Sequence, residues 1–592
     1  MGDYLLVSLD AACPPEHVDF VSLQASAETA GMTVSSLSPR TWLAVATHDR
    51  PATVSAGAWT LIGEILNRDA APVRRVDEAD PHLYEKKLLA RFWGRYIGVR
   101  LDPAGCVAAV LRDPSGGLDC VGWTDGPMTV VSSFCPDWLV RRVRREWRID
   151  VGRVEAALHD PYSTAGSLLL EGPTAILPGT MQVFRDAGTV ALWRPDWIAR
   201  NARAVPDAVA AVAVRRAVDE TVGGLARRPG VIACEVSGGL DSSIVAATLA
   251  KTARDRVGLW LNAWGPDATG DERPWVEALA LSLDIPATSV PRSTGHVTID
   301  LLEGMPQGFR PALAALDGLH DADWADRFRA AGVDRVLTGK GGDTLFVQPA
   351  DVGVFVDLWQ ARGWRAIFSP DLVRLARWNE RSVWTLIAQA RHKHWRPDAI
   401  DAPNALLNPR QHATLNRHPW LEDIGDLGPS KRRQILGLVQ GLGLHGPSLQ
   451  TQAVAVIHPL LSQPVVEACL ALPTPQLTLG RRDRALARLA FGDRLPQAIA
   501  SRRSKGEMTA FYGRMIADGL DVLRPWLIEG RLASMGLIDQ QGAEALLTRE
   551  SLAWRGGYVD IMVTAAIEGW VRAWEDRLQG GGRVAPSISG GG

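Results

Sequence analysis

The stretch Cys234-Glu235-Val236-Ser237-Gly238-Gly239-Leu240-Asp241-Ser242-Ser243 decides how this chain is read. Val231 to Val236 is a short apolar strand pattern, and Ile244 to Ala253 is an Ala/Val/Leu helix pattern, so the Ser-Gly-Gly-x-Asp-Ser segment is a loop set on a helix N-terminus. Two adjacent glycines let the backbone approach an anion, the exposed amides and helix dipole attract it, and Ser237, Ser242 and Ser243 add hydroxyl donors. Asp241 would repel that anion unless a cation lay between them, which makes it a candidate magnesium ligand. An ordinary Gly-rich turn explains the glycines but not the Ser-x-x-x-Asp-Ser pattern around them.

A second strand pattern, Asp334 to Thr338, runs into Gly339-Lys340-Gly341-Gly342-Asp343-Thr344, where glycines again precede an aspartate. Ligands of an open parallel sheet bind at the carboxyl ends of its strands, so Asp241 and Asp343 are predicted to hold one magnesium between them. A third cluster, Arg502-Arg503-Ser504-Lys505-Gly506, follows the helical run Asp483 to Phe491. A basic turn is commonly solvated surface. Here only seven lysines occur in the chain, and two of them, Lys340 and Lys505, stand beside glycines in these clusters.

A length of 592 residues predicts two or three domains, and a net charge of −2 points to neither a nucleic-acid nor a membrane partner. The start Met1-Gly2-Asp3-Tyr4 lacks the pattern of a signal peptide and no apolar run is long enough to span a bilayer, so a cytoplasmic location is expected. The cysteines at 13, 106, 120, 135, 234 and 469 show no metal-ligand spacing and are expected to be buried thiols. Short apolar segments at Tyr4–Ser8, Trp42–Ala46, Trp59–Leu66, Tyr96–Leu101, Val107–Arg112 and Met128–Ser132, with a helix near Leu83–Phe92, predict an antiparallel β-rich domain over residues 1–200. After a boundary at Asn201–Val205, alternating helices and strands predict a second, α/β domain over 205–578, helical beyond about residue 350, and a disordered tail over 579–592.

Taken in order, the three clusters resemble the synthetase half of the asparagine synthetase superfamily. The stretch His458-Pro459-Leu460-Leu461-Ser462-Gln463-Pro464 resembles a further segment of it. The resemblance implies an α/β multidomain protein: a degenerate Ntn-glutaminase-like first domain, then a PP-loop ATP pyrophosphatase domain with a helical C-terminal part. It also implies an ATP- and Mg2+-dependent ligase that activates a carboxylate as its adenylate and passes it to an amine. Adenine is expected near Val236, Trp264 and Thr338-Gly339, and pyrophosphate in the loop from Ser237 through Gly238, Gly239, Asp241, Ser242 and Ser243. Lys505 is expected to steady the oxyanion formed as the amine attacks. Within the superfamily the wording is most similar to the lasso peptide cyclases, through Asp271-Glu272-Arg273, the Gly-Gly-Asp ending at Asp343, Pro-Leu-Leu-Ser-Gln-Pro and Arg-Arg-Ser-Lys-Gly. That likeness implies macrolactam formation between the N-terminal amine of a precursor peptide and an Asp or Glu side chain, with a leader peptidase and a leader-binding protein as further partners. A small-molecule amide ligase of the β-lactam synthetase or asparagine synthetase kind, and a catalytically dead peptide-binding scaffold, are the alternatives.

Two departures matter. Glutamine-using relatives expose a catalytic cysteine at the mature N-terminus, where this chain has Gly2, so no glutaminase activity is expected. Cleavage before Cys13 would create such a cysteine only by removing the strand at Tyr4–Ser8. The residue between the glycines at 339 and 341 is a glutamate in the asparagine synthetases and a tyrosine in the related β-lactam synthetases, and here is Lys340. It either binds a phosphate or carboxylate, the preferred reading, or accepts a proton once nearby cations lower its pKa. Asp271-Glu272 either faces the substrate amine or is an acidic turn that starts a helix.

Overall fold

The computed structural model describes residues 3–46, 51–74, 84–143, 147–184, 188–267, 270–293, 295–313, 316–395, 404–409, 417–503, 508–555 and 557–579. Lys505 and the tail from residue 580 lie outside these residues.

The first half is two stacked antiparallel sheets of six strands each. In one, Tyr4–Leu9 lies between Thr41–Ala46 and Met128–Ser132, and in the other Phe92–Leu101 lies between Trp59–Asn67 and Val107–Arg112. Alternation along Tyr4–Leu9 decides which layer each side chain joins: Tyr4 and Leu6 pack between the sheets with Leu43, Ile62, Ile97 and Val110, while Leu5 and Val7 face Phe20 and Leu23 of the helix Val18–Thr29. The six strands expected here all form. The expected helix at Leu83–Phe92 is Glu85–Arg91, and Phe92 already begins the following strand. The Ser/Thr-rich strand Met32–Ser38 and the strands Val121–Asp125 and Thr174–Ala175, which the sequence did not mark, complete the first sheet.

Residues 201–206 then lead into helix α1 (Asp207–Ala226). Next come β1 (Ile232–Glu235), α2 (Leu240–Thr252), β2 (Val257–Trp264), α3 (Arg273–Leu283), β3 (Ala287–Pro291), α4 (Gly318–Ala330), β4 (Arg335–Leu337) and α5 (Gly342–Leu345). Helix α6 (Pro429–Leu442), β5 (Ala455–Ile457), α7 (Ala485–Phe491) and the last helix, α8 (Tyr558–Gln579), follow among the other, mostly short, helices. The five strands form one parallel sheet in the order β3-β2-β1-β4-β5. Helix α1 is buried on both flanks, its Val214 and Val218 sharing a core with Leu61 and Leu111 of the second antiparallel sheet and with Ile232 and Ile244 of the parallel layer. The two halves are also tied by ions: Glu64 faces both Arg95, at 3.1 Å, and Arg335 of β4, at 3.6 Å. Among the described residues no helix is long and apolar enough to cross a membrane. The described cysteines form no disulfide, and all but the half-buried Cys13 are buried.

Candidate active site

Strand β1 is the middle strand of the parallel sheet, so the turn at its carboxyl end opens where the connections diverge to either side. Helix α2 starts at Leu240 rather than at Ile244, so Asp241, Ser242 and Ser243 belong to its first turn, which shortens the loop to Val236–Gly239. Gly238 takes φ +67° and packs on Trp275, and Gly239 is the N-cap. The hydroxyls shape this turn: the Ser237 amide donates to Ser242 Oγ at 3.1 Å, the two serine oxygens are 3.0 Å apart, and Ser243 Oγ donates to the Gly239 carbonyl at 2.7 Å. Ser243 is fully buried and spends its hydroxyl beneath the loop, whereas Ser237 and Ser242 face the cavity described below.

The second glycine turn lies directly against the first. A methyl group at Gly339 would land on the Ser242 backbone amide, one at Gly342 would come within 2.7 Å of Asp241 Cβ, and Gly341 is left-handed at φ +90°. Only glycines let the two turns touch. Thr338 is buried beneath them, its Oγ1 accepting from the Lys340 amide at 3.2 Å and lying 2.8 Å from His458 Nδ1. His458 Nε2 is 3.3 Å from the Leu444 carbonyl, so a neutral imidazole that donates from Nε2 and accepts at Nδ1 satisfies the chain, and burial, with His445 and Lys340 nearby, pushes its pKa well below the ordinary value.

A cavity of about 550 Å³ opens over both turns. Ser237, Gly239, Asp241, Ser242, Gly339, Lys340 and Asp343 line it, as expected of them, and so do Arg292, Arg484, Arg488 and Arg502. Asp241 Oδ2 accepts from Arg484 Nη1 at 2.8 Å, and Asp483 bridges Arg484, at 3.0 Å, to Arg488, at 2.9 Å. Arg484 is buried and sits at φ +48°, a left-handed backbone rare for a long side chain, at the start of α7. Arg502 donates to the Gly238 carbonyl at 3.1 Å and to Glu272 Oε1 at 2.7 Å, with its guanidinium 3.7 Å over the Trp275 ring. Of the acidic pair at 271–272, Asp271 is therefore held by Arg273, at 2.8 Å, and Glu272 by Arg502 in the cavity wall.

A second chamber of about 420 Å³ shares Glu235, Ser237, Ala263, Arg292 and Lys340 with the first and adds Val236, Leu261 and Trp324. In it Trp324 Nε1 donates to Glu235 at 3.1 Å, and burial together with Arg292 and Lys340 pushes His320 down to about 2, so that imidazole is neutral. Trp264, expected near adenine, lines neither chamber; its ring stacks under the Arg273 guanidinium at 3.9 Å. Thr338 and Gly238 support the walls from behind, and Val236 lines only the second chamber. Sequence reading missed Arg484, Arg488 and Glu235. For Glu235 and Arg488 the one legible sign was charge inside apolar runs, Cys234-Glu235-Val236 and Ala485-Leu486-Ala487-Arg488-Leu489, and Arg484 had none.

The site thus sets five cations against four carboxylates, two of them aspartates on touching helix N-termini, a donor arrangement suited to a polyphosphate with a hard cation. Family comparison agrees with that chemistry: the asparagine synthase family model matches residues 213–572, from within α1 to within α8. The chain belongs to the asparagine synthase family. Membership makes it an ATP-dependent carbon–nitrogen ligase, and the match covers the whole parallel sheet and every residue placed at the cavity above. A search of the curated proteins finds no match. Asparagine synthase relatives use ATP, and the cavity has the charges and depth to take one. Among the described residues no three His, Cys, Asp or Glu side chains gather to hold a metal. Two carboxylates completed by substrate oxygens and water is how magnesium is ordinarily bound, so Asp241 and Asp343 fit that ion as a pair.

Proposed function

We propose that this member of the family forms a macrolactam on a precursor peptide, adenylating an Asp or Glu side chain for attack by the peptide's N-terminal amine. The observation that carries the peptide reading is Tyr162: it comes from the antiparallel half, yet it lines the catalytic cavity and is 42% exposed. A wall taken from the antiparallel layer gives a substrate that extends beyond the nucleotide turns a surface to rest on. Adenosine goes to the chamber floored by Val236 and Leu261, and the triphosphate to the turns from Ser237 to Ser242.

Arg484, Arg488 and Arg502 face the phosphates, and Lys340 binds phosphate or the reacting carboxylate. Asp241 and Asp343 would hold magnesium, which supplies charge neutralisation between the phosphates and these carboxylates. The carboxylate oxygen attacks the α-phosphorus and pyrophosphate leaves. The amine nitrogen then attacks the acyl carbon, loses its proton and expels AMP. An α-amine has a pKa of about 7.7 to 8.0, so a useful fraction is neutral without a dedicated base. Lys505, carried over from the family, is assigned to the oxyanion of that second step.

Glutaminase activity has no place in this scheme. Cys13 lies just beyond the central strand Tyr4–Leu9, and its release as an N-terminal nucleophile would take that strand out of the sheet. The test is to incubate the enzyme with ATP, magnesium and synthetic peptides bearing a free N-terminus and one internal Asp or Glu. AMP and a product lighter by one water are expected; AMP formed only with free amino acids and ammonia would overturn the reading. Lys505→Ala should lower ring closure by about 10² to 10³ while pyrophosphate exchange suffers less. Equal loss of both would move Lys505 to the first step.

A further inference from the structure

Behind the catalytic cavity lies a second one, of about 510 Å³, between the antiparallel half and the synthetase half. It shares two walls with the catalytic cavity. The turn Pro161–Ala165 presents Tyr162 to the first and Thr164 to the second, and the end of α6 with the segment after it presents Gly441 and Leu444 to the first and Gly443 and His445 to the second. Its arginines are each opposed by an aspartate: Asp119 faces Arg310 at 3.2 Å and Arg112 at 3.4 Å, and Arg577 faces Asp137 at 3.1 Å. Counting Asp3, three arginines stand against three aspartates in this cavity, so it has no excess of positive charge to gather a phosphate or another small anion.

What remains is neutral. Gln307 Oε1 is buried with no hydrogen-bond partner among the described residues, and Gln452 and Thr164 add further polar groups between Phe134, Phe309 and prolines. Amide and hydroxyl groups set among aromatic and apolar walls suit a peptide chain, whose own amides need partners as they leave water.

We propose that this interface cavity binds the part of the peptide substrate beyond the ring-closing acid, holding it behind the wall formed by Tyr162 and Leu444 while the ring closes in front. This rests on the peptide reading above. Gly443 provides the probe, since it lies at φ −64°, a Cβ there meets no atom within 4 Å, and it lines the interface cavity but not the catalytic one. Gly443→Phe should fill the cavity without straining the backbone.

The experiment compares two synthetic peptides in the full-length enzyme: one that stops at the acid and one that continues past it. Gly443→Phe should raise KM for the longer peptide by about tenfold or more and leave the shorter one and the ATP-induced thermal shift unchanged. Gln307→Leu, which keeps the shape and deletes the amide, should act in the same direction and serves if Gly443→Phe does not fold. Equal effects on both peptides, or none on either, would overturn the inference while the peptide reading stands. If the wild-type enzyme dehydrates neither peptide with AMP release, the peptide reading falls and the inference with it.

Discussion

Both halves of the molecule are built on sheets, yet their strand ends are used differently. In the antiparallel half, hairpins return the chain at both edges, and residues such as Tyr4, Leu6, Ile62 and Ile97 are buried between two sheets. In the parallel half every strand ends on the same edge, and β1 and β4 each end in a glycine turn that starts a helix. Chemistry collects there because backbone amides and helix dipoles converge on one rim. The comparison teaches what each half can contribute: the parallel edge supplies charge, and the antiparallel half supplies a wall and one aromatic side chain.

The strongest way to break this division is at the two aspartates. Asp241→Ala and Asp343→Ala are each expected to abolish AMP and product formation with the fold intact, since Arg484 keeps Asp483 as a partner when Asp241 is lost. Near-normal turnover with unchanged magnesium dependence in either variant would sink the paired-carboxylate site.

Next comes the contact between the turns. Gly339→Ala must push the β4 turn off the Ser242 amide, so a rate loss of about a hundredfold is expected from a displacement of about 1 Å. Circular dichroism should show the sheet preserved. An active Gly339→Ala enzyme would mean that the two turns need not touch.

A smaller effect sharpens the role of the antiparallel half. Tyr162→Ala should raise the peptide KM about tenfold, the ~1.4 kcal/mol of one aromatic contact, with ATP affinity unchanged. Tyr162→Phe should restore it if the ring, not the hydroxyl, makes the contact. A change in ATP affinity instead would assign Tyr162 to the nucleotide.

The smallest effect concerns thiols. Burial pushes Cys120, Cys135 and Cys469 up to about 12 and Cys234 higher still, so at neutral pH these side chains are protonated and shielded. Iodoacetamide should label Cys13 alone in the folded enzyme, as read by mass spectrometry, and no glutamate should be released from glutamine before or after labelling. Glutaminase activity lost on Cys13→Ala would show that the antiparallel half carries chemistry after all.

Much of this was legible because the informative residues are local. The loop from Ser237 to Ser243 and the turn from Gly339 to Asp343 announce a strand, a turn and a helix within a few residues each, and short apolar segments between turns marked strands such as Tyr4–Ser8 and Val107–Arg112. What stayed hidden was tertiary. Arg484 reaches Asp241 across 243 positions of sequence, and no local pattern distinguishes it from the arginines beside it. Nothing in the sequence singled out Tyr162, which the fold brings to the cavity by setting Pro161–Ala165 against the segment Gly443–His445. The helix boundary at Ile244 was set four residues late because Asp241, Ser242 and Ser243 are weak helix formers in general but favoured in a first turn.

Helix α8 ends the described chain, yet it packs in the core of the antiparallel half: Trp574 lies 5.9 Å from Trp147, ring to ring, and Arg577 pairs with Asp137. During synthesis the first sheet therefore has its hydrogen bonds within reach once residue 175 has emerged, but the part of its outer face that the helix Val18–Thr29 leaves open waits for a partner made about four hundred residues later. At a translation rate of about 5 to 20 residues per second, that part of the face stays uncovered for about 20 to 80 seconds. A nascent chain of this kind is a natural client for chaperones that shield apolar surface. Slowing its elongation, or expressing it ahead of its last helix, would favour aggregation over yield.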